Sequence, residues 1–154
     1  MAETDVTTRP LSAALIGTWE LVSRADQTPA GEPRTDAALG ADPVALLYYD
    51  DTGHFAAQFM KRVRGAEPEP EPASTGPNNS RARGGYDAYF GTYAVDDADG
   101  TVTQCLIGAL SRENVGQVLT RAMTVVGDEL TIRLETANAA GEPIVRTLRW
   151  RRAG

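Results

Sequence analysis

Several residue types on which protein chemistry often depends are nearly absent from this chain of 154 residues. A single cysteine, Cys105, excludes an internal disulfide and a zinc site built from cysteines. His54 is the only histidine, so a histidine-rich metal site and a Cys-His-Asn triad are both implausible. Lys61 is the only lysine, and cationic contacts must therefore come from arginine, which is planar and permanently charged.

A basic surface and a long apolar run are also missing. Lysine and arginine number 15 against 21 acidic residues, which gives a formal net charge of −6 and argues against nucleic-acid binding. The longest apolar stretches, such as residues 44–49, are too short to span a membrane, and the chain start lacks a signal-peptide pattern. We therefore expect a cytoplasmic protein that contacts no membrane. A hydrophobic fraction of 42% over 1–154 indicates one domain with a real core, after a polar tail at 1–10.

What the chain does contain is a regular series of strand patterns separated by turns. Runs rich in β-branched and aromatic residues end at turn sequences such as Asp-Asp-Thr-Gly at 50–53 and Gly-Asp at 127–128. This spacing predicts an all-β, antiparallel up-and-down barrel with room for side chains or one small ligand, with a two-sheet sandwich as the alternative. A helix is expected only at 9–15. The eight predicted strands are 15–23, 44–50, 54–62, 86–95, 101–110, 115–126, 129–136 and 143–151.

A long loop at 65–85, between the third and fourth strands, interrupts this pattern. Its three Glu-Pro pairs at 67–72 cannot join a strand ladder and favour an extended, polyproline-like path. Long loops of this kind are either mobile surface segments or lids over a site. The composition favours a mobile loop, while a lid and a docking segment for a partner remain open.

Several short motifs distributed along the chain form a recognisable set, namely Gly17-Thr18-Trp19-Glu20-Leu21-Val22-Ser23, Asp42-Pro43-Val44, Leu47-Tyr48-Tyr49, Asp51-Thr52-Gly53-His54-Phe55, Tyr89-Phe90-Gly91-Thr92-Tyr93 and Leu148-Arg149-Trp150-Arg151-Arg152. Through these motifs, most of the chain resembles the lipocalin-like domain proteins, which are calycin-type barrels. The resemblance implies a calyx that holds a small molecule, with the first-strand tryptophan, Trp19, covered at the closed end by Arg149 or Arg151. The family often carries two histidines on the fifth strand, where this chain has Gln104 and Cys105, so chemistry built on that pair is in doubt.

His54 is the only side chain whose ordinary pKa lies near neutrality, which makes it a candidate proton donor or acceptor. Strand alternation places it on one face with Gln58, and the opposite face begins with Phe55. If the His54 face lines the barrel, Gln58 is an amide anchor for a ligand. The alternative is that His54 sits at the rim in water, since it follows a turn glycine.

Tyrosines and one arginine supply further candidates for the interior. Tyr89 and Tyr93 share a strand face with Gly91, which opens space or allows a close approach, so both phenols are expected to flank a cavity rather than only pack in the core. Arg121 shares a face with Met123 and needs an anionic or carbonyl partner if that face is buried. The partner is either a structural carboxylate, namely Glu20 or Glu113, or a carboxylate or enolate of a ligand. Cys105 is expected to be a small buried hydrophobe.

Together these observations and the resemblance predict a cofactor-independent cyclase, isomerase or dehydratase that acts on an apolar, polyketide-like molecule in specialised metabolism. No cofactor or metal is expected, and a homodimer is left open. The alternative is a non-catalytic binder or carrier with the same cavity. The predicted catalytic residues are His54, Tyr89 and Arg121, and the predicted ligand contacts are Tyr49, Gln58, Tyr93, Gln104, Gln117 and Met123.

Overall fold

A computed structural model describes residues 9–65 and 76–154, and these confirm the predicted all-β barrel. The predicted Glu-Pro run and most of the predicted tail lie outside the described residues. A short helix, α1 (Leu11–Ala14), precedes the strands, and a 3-10 turn occupies Arg112–Asn114. The nine strands of the described residues are β1 (Gly17–Gln27), β2 (Pro33–Arg34), β3 (Val44–Tyr49), β4 (His54–Met60), β5 (Tyr86–Asp96), β6 (Thr101–Ala109), β7 (Val118–Val126), β8 (Glu129–Ala137) and β9 (Pro143–Arg152).

Eight of these strands form the closed barrel, and β2 is a two-residue addition that pairs with the end of β1. Strands that follow one another along the barrel pair antiparallel, and β1 also pairs with β9 from Trp19↔Arg152 to Gln27↔Val145. This last pairing removes both sheet edges, which otherwise expose unpaired backbone groups. β1 runs further than the predicted 15–23 because a register shift between Leu21 and Ser23 lets it continue along β9.

Strand β7, which corresponds to the sixth predicted strand at 115–126, begins later than predicted. The residues just before it form a turn that holds another part of the chain. Asn114, at the end of the 3-10 turn, is fully buried, and its side-chain oxygen accepts a hydrogen bond of 3.0 Å from the backbone N–H of Arg81. Its side-chain nitrogen donates to the Arg81 carbonyl at 3.2 Å. The turn therefore holds the chain that leads into β5, and β7 starts only at Val118.

One end of the barrel is closed by α1 and by tight turns. Trp19 is fully buried, and its indole N–H donates to the Leu15 carbonyl at 2.9 Å. The guanidinium of Arg152 lies 4.3 Å from the centre of the indole ring. The expectation that Arg149 or Arg151 covers Trp19 is therefore wrong. Strand alternation gives the reason, since the even-numbered residues of β9 face the interior and the odd-numbered ones face outward.

Replacing Arg152 by methionine is expected to destabilise the closed end. The side chain donates to the carbonyls of Ala14 at 2.7 Å and Ile16 at 2.8 Å, and it also makes the contact with Trp19. Loss of two charge-assisted hydrogen bonds and a cation–π contact should lower the free energy of unfolding by roughly 2 kcal/mol, measured by urea denaturation. The exposed neighbour Arg151 is the control, and Arg151→Met should change little. Equal effects from the two substitutions would contradict this account.

At the open end, β7 and β8 separate and a loop segment fills the gap. Their pairing runs from Val126↔Glu129 only to Ala122↔Arg133, and β8 continues to Ala137 paired with β9. Residues 76–78 lie between the two strands there. We call this segment the seam.

The seam is held by side chains on both sides. On the β7 side, the Asn78 amide accepts from the N–H of Thr120 at 2.8 Å and donates to its carbonyl at 3.0 Å. On the β8 side, the Thr136 hydroxyl donates to the Pro77 carbonyl at 2.6 Å, and the backbone of Gly76 packs against Ala137. The seam thus replaces ladder hydrogen bonds that β7 and β8 do not make with each other.

Asn78→Gly should loosen the seam without straining its backbone. Asn78 has φ 58, a left-handed conformation that glycine adopts freely, so the substitution removes mainly the two side-chain hydrogen bonds. We expect the Thr120 amide to exchange with solvent about tenfold faster or more, measured by NMR hydrogen exchange. The amide of Thr124, paired in the ladder opposite Thr131, is the internal control. Unchanged protection of Thr120 would show that the seam does not shield this edge.

Burial alternates along the strands and defines which faces line the interior. In β4, Phe55, Ala57 and Phe59 are buried, so the alternate residues face outward or remain partly exposed. Cys105 is exposed, which contradicts its predicted burial, because Gln104 and Leu106 occupy the inward positions of β6. Among the described residues, no helix has the length and apolar character that crossing a bilayer requires.

Candidate functional site

The open half of the barrel encloses a cavity of about 400 Å³. Its inner wall is apolar and aromatic, formed by residues of β3, β4, β8 and β9, and Gly76, Asn79 and Ser80 line it near the opening. The polar lining is highly charged for a barrel interior. The apolar wall includes Leu47, Ala57, Phe59, Ile132, Leu148 and Trp150, and the charged lining consists of Arg24, Asp36, Asp87, Arg121 and Arg146.

Two of the three arginines in this lining have carboxylate partners. Arg146 donates to both oxygens of the buried Asp26, at 2.8 and 3.0 Å, in a bidentate pair. Arg24 pairs with Asp36 at 2.9 Å. Burial alone would raise the pKa of Asp36, but the Arg24 guanidinium holds it below its ordinary value. These two pairs are internally balanced in charge.

The third arginine, Arg121, has no carboxylate partner among the described residues. It is 5% exposed, and its Nη1 donates to the carbonyls of Asn78 at 2.8 Å and Thr120 at 3.1 Å. Its guanidinium also interacts with the phenol of Tyr89. All of these partners are neutral, so the positive charge of Arg121 is not compensated within its own contacts.

Asp87, at the beginning of β5, is the carboxyl group of the described residues whose pKa is shifted most. It is 3% exposed, and the Ser80 hydroxyl donates to its Oδ2 at 2.6 Å. Its Oδ1 has no hydrogen-bond partner among the described residues. Burial raises the pKa of Asp87 to about 6, which places a proton donor and acceptor near neutrality in the cavity.

Other cavity residues also carry buried polar atoms without partners among the described residues. These atoms are Nε of Arg24, Oε1 of Gln104 and Nε1 of Trp150. Buried polar groups in proteins are normally hydrogen-bonded, and leaving one unpaired costs about 1–3 kcal/mol. Together with Oδ1 of Asp87, this gives two unpartnered donors and two unpartnered acceptors in residues that line one cavity.

Three of the predicted site residues line this cavity, namely Tyr89, Gln104 and Arg121. Tyr89 is buried beside Phe55 and Phe59, with ring centres 6.0 and 6.4 Å away, and burial raises the pKa of its phenol. Its hydroxyl interacts with both Ser80 and Arg121. Strand alternation turns Tyr89 of β5 and Arg121 of β7 into the interior, on either side of the intervening strand β6.

Other predicted contacts lie behind the cavity or away from it. The Gln104 amide donates to the Tyr49 hydroxyl at 2.6 Å, and that hydroxyl lies 3.9 Å from Sδ of Met123. Tyr49 and Met123 therefore belong to the packed core beneath the cavity. Tyr93 donates to the Asp50 carbonyl at 2.5 Å near the closed end. Gln117 precedes β7 and does not line the cavity.

His54 and Gln58 lie on the outer face of β4, contrary to the hypothesis that their face lines the barrel. The physical reason is that the opposite face carries Phe55 and Phe59, whose rings give the larger gain on burial. The His54 ring instead contacts the Thr52 hydroxyl at 2.9 Å in the exposed turn. We therefore do not retain a catalytic role for His54.

Sequence reasoning missed the charged residues at the opening. Asp87 shares its strand face with Tyr89, and this period-2 signal was present in the sequence. Arg24 and Asp26 fell beyond the predicted end of the first strand, so no face was assigned to them. Arg146 was assigned no role, although strand alternation places it on the face opposite to Arg149 and Arg151. No sequence signal revealed that Asp36, in the segment between β2 and β3, reaches Arg24.

Within the described part of the chain, no group of three or more histidine, cysteine or acidic residues is arranged to hold a metal ion. A family model described as a lipocalin-like domain matches residues 16–153, a range that includes every strand of the barrel. No curated protein matches the chain.

Proposed function

Since the chain belongs to the lipocalin-like domain family, we propose that its barrel binds a small molecule and catalyses a proton transfer on it. A lipocalin-like barrel is suited to holding a small ligand, and a cavity of about 400 Å³ falls in the usual range for such sites. The proposed reactions are cyclisation, isomerisation or dehydration of an enolisable carbonyl compound with an apolar body. We propose a cytoplasmic setting, as the sequence predicts.

The observation that carries this proposal is the presence of Asp87 and Arg121 in one cavity. Ionised Asp87 can accept a proton from the carbon next to a carbonyl group, because its pKa of about 6 is matched to neutral pH. The electron pair of that C–H bond moves onto the carbonyl oxygen. The Tyr89 hydroxyl, beside the positive charge of Arg121, can donate a hydrogen bond to the resulting enolate.

The same enolate leads to each proposed product. In an isomerisation, protonated Asp87 returns the proton to a different carbon. In a cyclisation, the enolate carbon attacks a second carbonyl carbon of the same molecule, and the alkoxide oxygen that forms takes the proton from Asp87. In a dehydration, a β-hydroxyl leaves as water after taking the proton from Asp87. The protein contributes a proton carrier, a hydrogen bond to the oxyanion and a fixed substrate conformation.

The apolar wall supplies binding and orientation for this chemistry. Phe59 and Trp150 lie with ring centres 5.8 Å apart in an edge-to-face arrangement, and Leu148 lines the same region. Binding of an apolar substrate body against this wall is favourable, because it removes apolar surface of both the substrate and the wall from water. Water exclusion also strengthens the electrostatic effect of Arg121 on the oxyanion.

The proposal can be tested with 2-tetralone, an enolisable bicyclic ketone. When 2-tetralone is incubated in D₂O, the protein should accelerate the incorporation of deuterium at the carbons next to the carbonyl group. The rate of incorporation is measured by NMR. Asp87→Asn should abolish the acceleration, while Asp50→Asn, which changes an exposed carboxylate in a turn, should leave it intact. If the wild-type protein accelerated exchange neither in 2-tetralone nor in its carboxylate derivative, 6-oxo-5,6,7,8-tetrahydronaphthalene-2-carboxylate, the catalytic proposal would be rejected in favour of a non-catalytic carrier. Acceleration that Asp87→Asn retained would reject it as well.

A further inference from the structure

The charge of the cavity points to the chemical class of its ligand. The cavity and its ion pairs contain three buried arginines, Arg24, Arg121 and Arg146, and each of them was removed from water on folding. Burying a guanidinium costs several kcal/mol unless a partner offsets the loss of hydration. Arg24 and Arg146 have carboxylate partners, whereas Arg121 has only neutral ones among the described residues.

Within the described residues 9–65 and 76–154, the nearby and predicted carboxylate partners of Arg121 are engaged elsewhere or lie outside the barrel. Glu113 pairs with Arg83 at 2.7 Å, and Glu20 is exposed on the outer face of β1. Asp36 and Asp26 pair with the other two arginines. Asp87 accepts from Ser80, and no described hydrogen bond or ion pair joins it to Arg121. Arg121 is therefore the one arginine of this lining that no carboxylate of the described residues contacts.

We propose that the ligand of this barrel carries a carboxylate, and that Arg121 binds it. This inference rests on the proposed use of the cavity for a small molecule and specifies the charge of that molecule. A carboxylate fits because the planar guanidinium can donate two parallel hydrogen bonds to it, and such charge-assisted bonds are the strongest available in a protein interior. The carboxylate of Asp26 already binds Arg146 in this manner, through two hydrogen bonds of 2.8 and 3.0 Å.

The position of Arg121 also relates the carboxylate to the rest of the ligand. Tyr89 lies next to Arg121 and contacts Ser80, whose hydroxyl bonds Asp87. A carboxylate on Arg121 therefore leaves the Tyr89 hydroxyl for a carbonyl oxygen of the same molecule and Asp87 for the adjacent carbon. The apolar remainder extends along Phe59, Leu148 and Trp150. The substrate class is an apolar keto acid rather than a neutral ketone.

The test compares two probes that have nearly the same shape and different charge, 2-naphthoate and 2-naphthamide. Isothermal titration calorimetry of the full-length protein should give an affinity about tenfold or more higher for naphthoate than for naphthamide. Arg121→Gln should remove this preference by weakening naphthoate binding, with little change for naphthamide. Arg121→Lys, which keeps the charge and loses the fork, should retain part of the preference. Arg133→Gln, at an exposed position of β8, is the matched control and should retain all of it.

Each outcome separates this inference from the catalytic proposal. Equal affinity of the wild-type protein for the two probes would overturn the carboxylate assignment, and so would a preference that survives Arg121→Gln. If neither probe bound, both the carboxylate assignment and the use of the cavity for small molecules would be overturned. A preference that depends on Arg121, found together with no deuterium exchange in 2-tetralone or in its carboxylate derivative, would support the carboxylate assignment and reject catalysis alone.

Discussion

Replacing Asp87 by asparagine should stabilise the folded barrel above pH 6 while it removes the proposed activity. The folded-state pKa of about 6 lies above the ordinary value of 3.8, so the folded protein holds this proton more tightly than the unfolded chain does. Below about pH 4 the carboxyl group therefore does not lower the free energy of unfolding. Between about pH 4 and 6 it lowers that free energy progressively, because the buried group ionises. A shift of about two units corresponds to at most roughly 3 kcal/mol, and we expect the substitution to recover on the order of 2 kcal/mol.

The measurement is urea denaturation of the wild-type protein and the Asp87→Asn variant across the range from about pH 4 to about pH 8. The difference between them should be small at the acidic end and largest at the alkaline end. Asp50 provides a control of opposite sign, because hydrogen bonds from His54 and Thr52 lower its pKa. Asp50→Asn should therefore be destabilising above the ordinary pKa of aspartate. A stability difference for Asp87→Asn that is independent of pH would contradict the assignment of Asp87 as a buried, destabilising carboxylate.

Gly91→Ala should prevent the barrel from closing correctly. A β-carbon at this position would lie 1.8 Å from the carbonyl oxygen of Cys105 and 2.9 Å from the backbone nitrogen of Ile107. The register between β5 and β6 shifts at this point, between Phe90 and Gly91, so the two backbones approach more closely than in a regular ladder. Because the obstacle is backbone in a central strand pair, it cannot rotate away. We expect a loss of at least about 3–4 kcal/mol or no folded protein, measured by urea denaturation.

Gly108→Ala is the matched control for this prediction. It lies across the same strand pair, and a β-carbon there would meet the ring of Phe90 at 2.4 Å. That ring is 53% exposed and can turn aside, so the cost should stay near or below about 1 kcal/mol. Similar losses from the two substitutions would show that the clash with the Cys105 carbonyl does not decide the outcome.

Much of the barrel could be predicted from the sequence because hairpins are local. The alternation of apolar residues, the turn residues and the spacing of strands are all readable over short stretches of chain, and they predict the eight barrel strands within a few positions. The extension of β1 past Ser23 and the late start of β7 were not readable. Each depends on a partner distant in sequence, β9 in the first case and Arg81 in the second.

The candidate site was predictable only where one side chain in the strand pattern carried the signal. Arg121 and Tyr89 were found because a charged or phenolic residue on an otherwise apolar face is conspicuous. The orientation of the His54 face was not fixed by alternation, since period 2 gives two faces and does not say which is inside. The pairing of Asp36 with Arg24 and the elevated pKa of Asp87 arise from burial in three dimensions, which a single sequence does not display.

The seam at residues 76–78 allows local opening of the barrel wall to be independent of global unfolding. In a barrel whose neighbouring strands were hydrogen-bonded along their full length, the two would be coupled. At the open end, the wall between β7 and β8 can open when the contacts made by Asn78, Pro77 and Thr136 are released. No hydrogen bond between β7 and β8 has to break there, because their pairing ends at Ala122↔Arg133. The free energy of such a local opening is set apart from that of global unfolding. The residence time of a bound molecule can therefore change through substitutions in the seam, while the thermal stability of the barrel stays nearly constant.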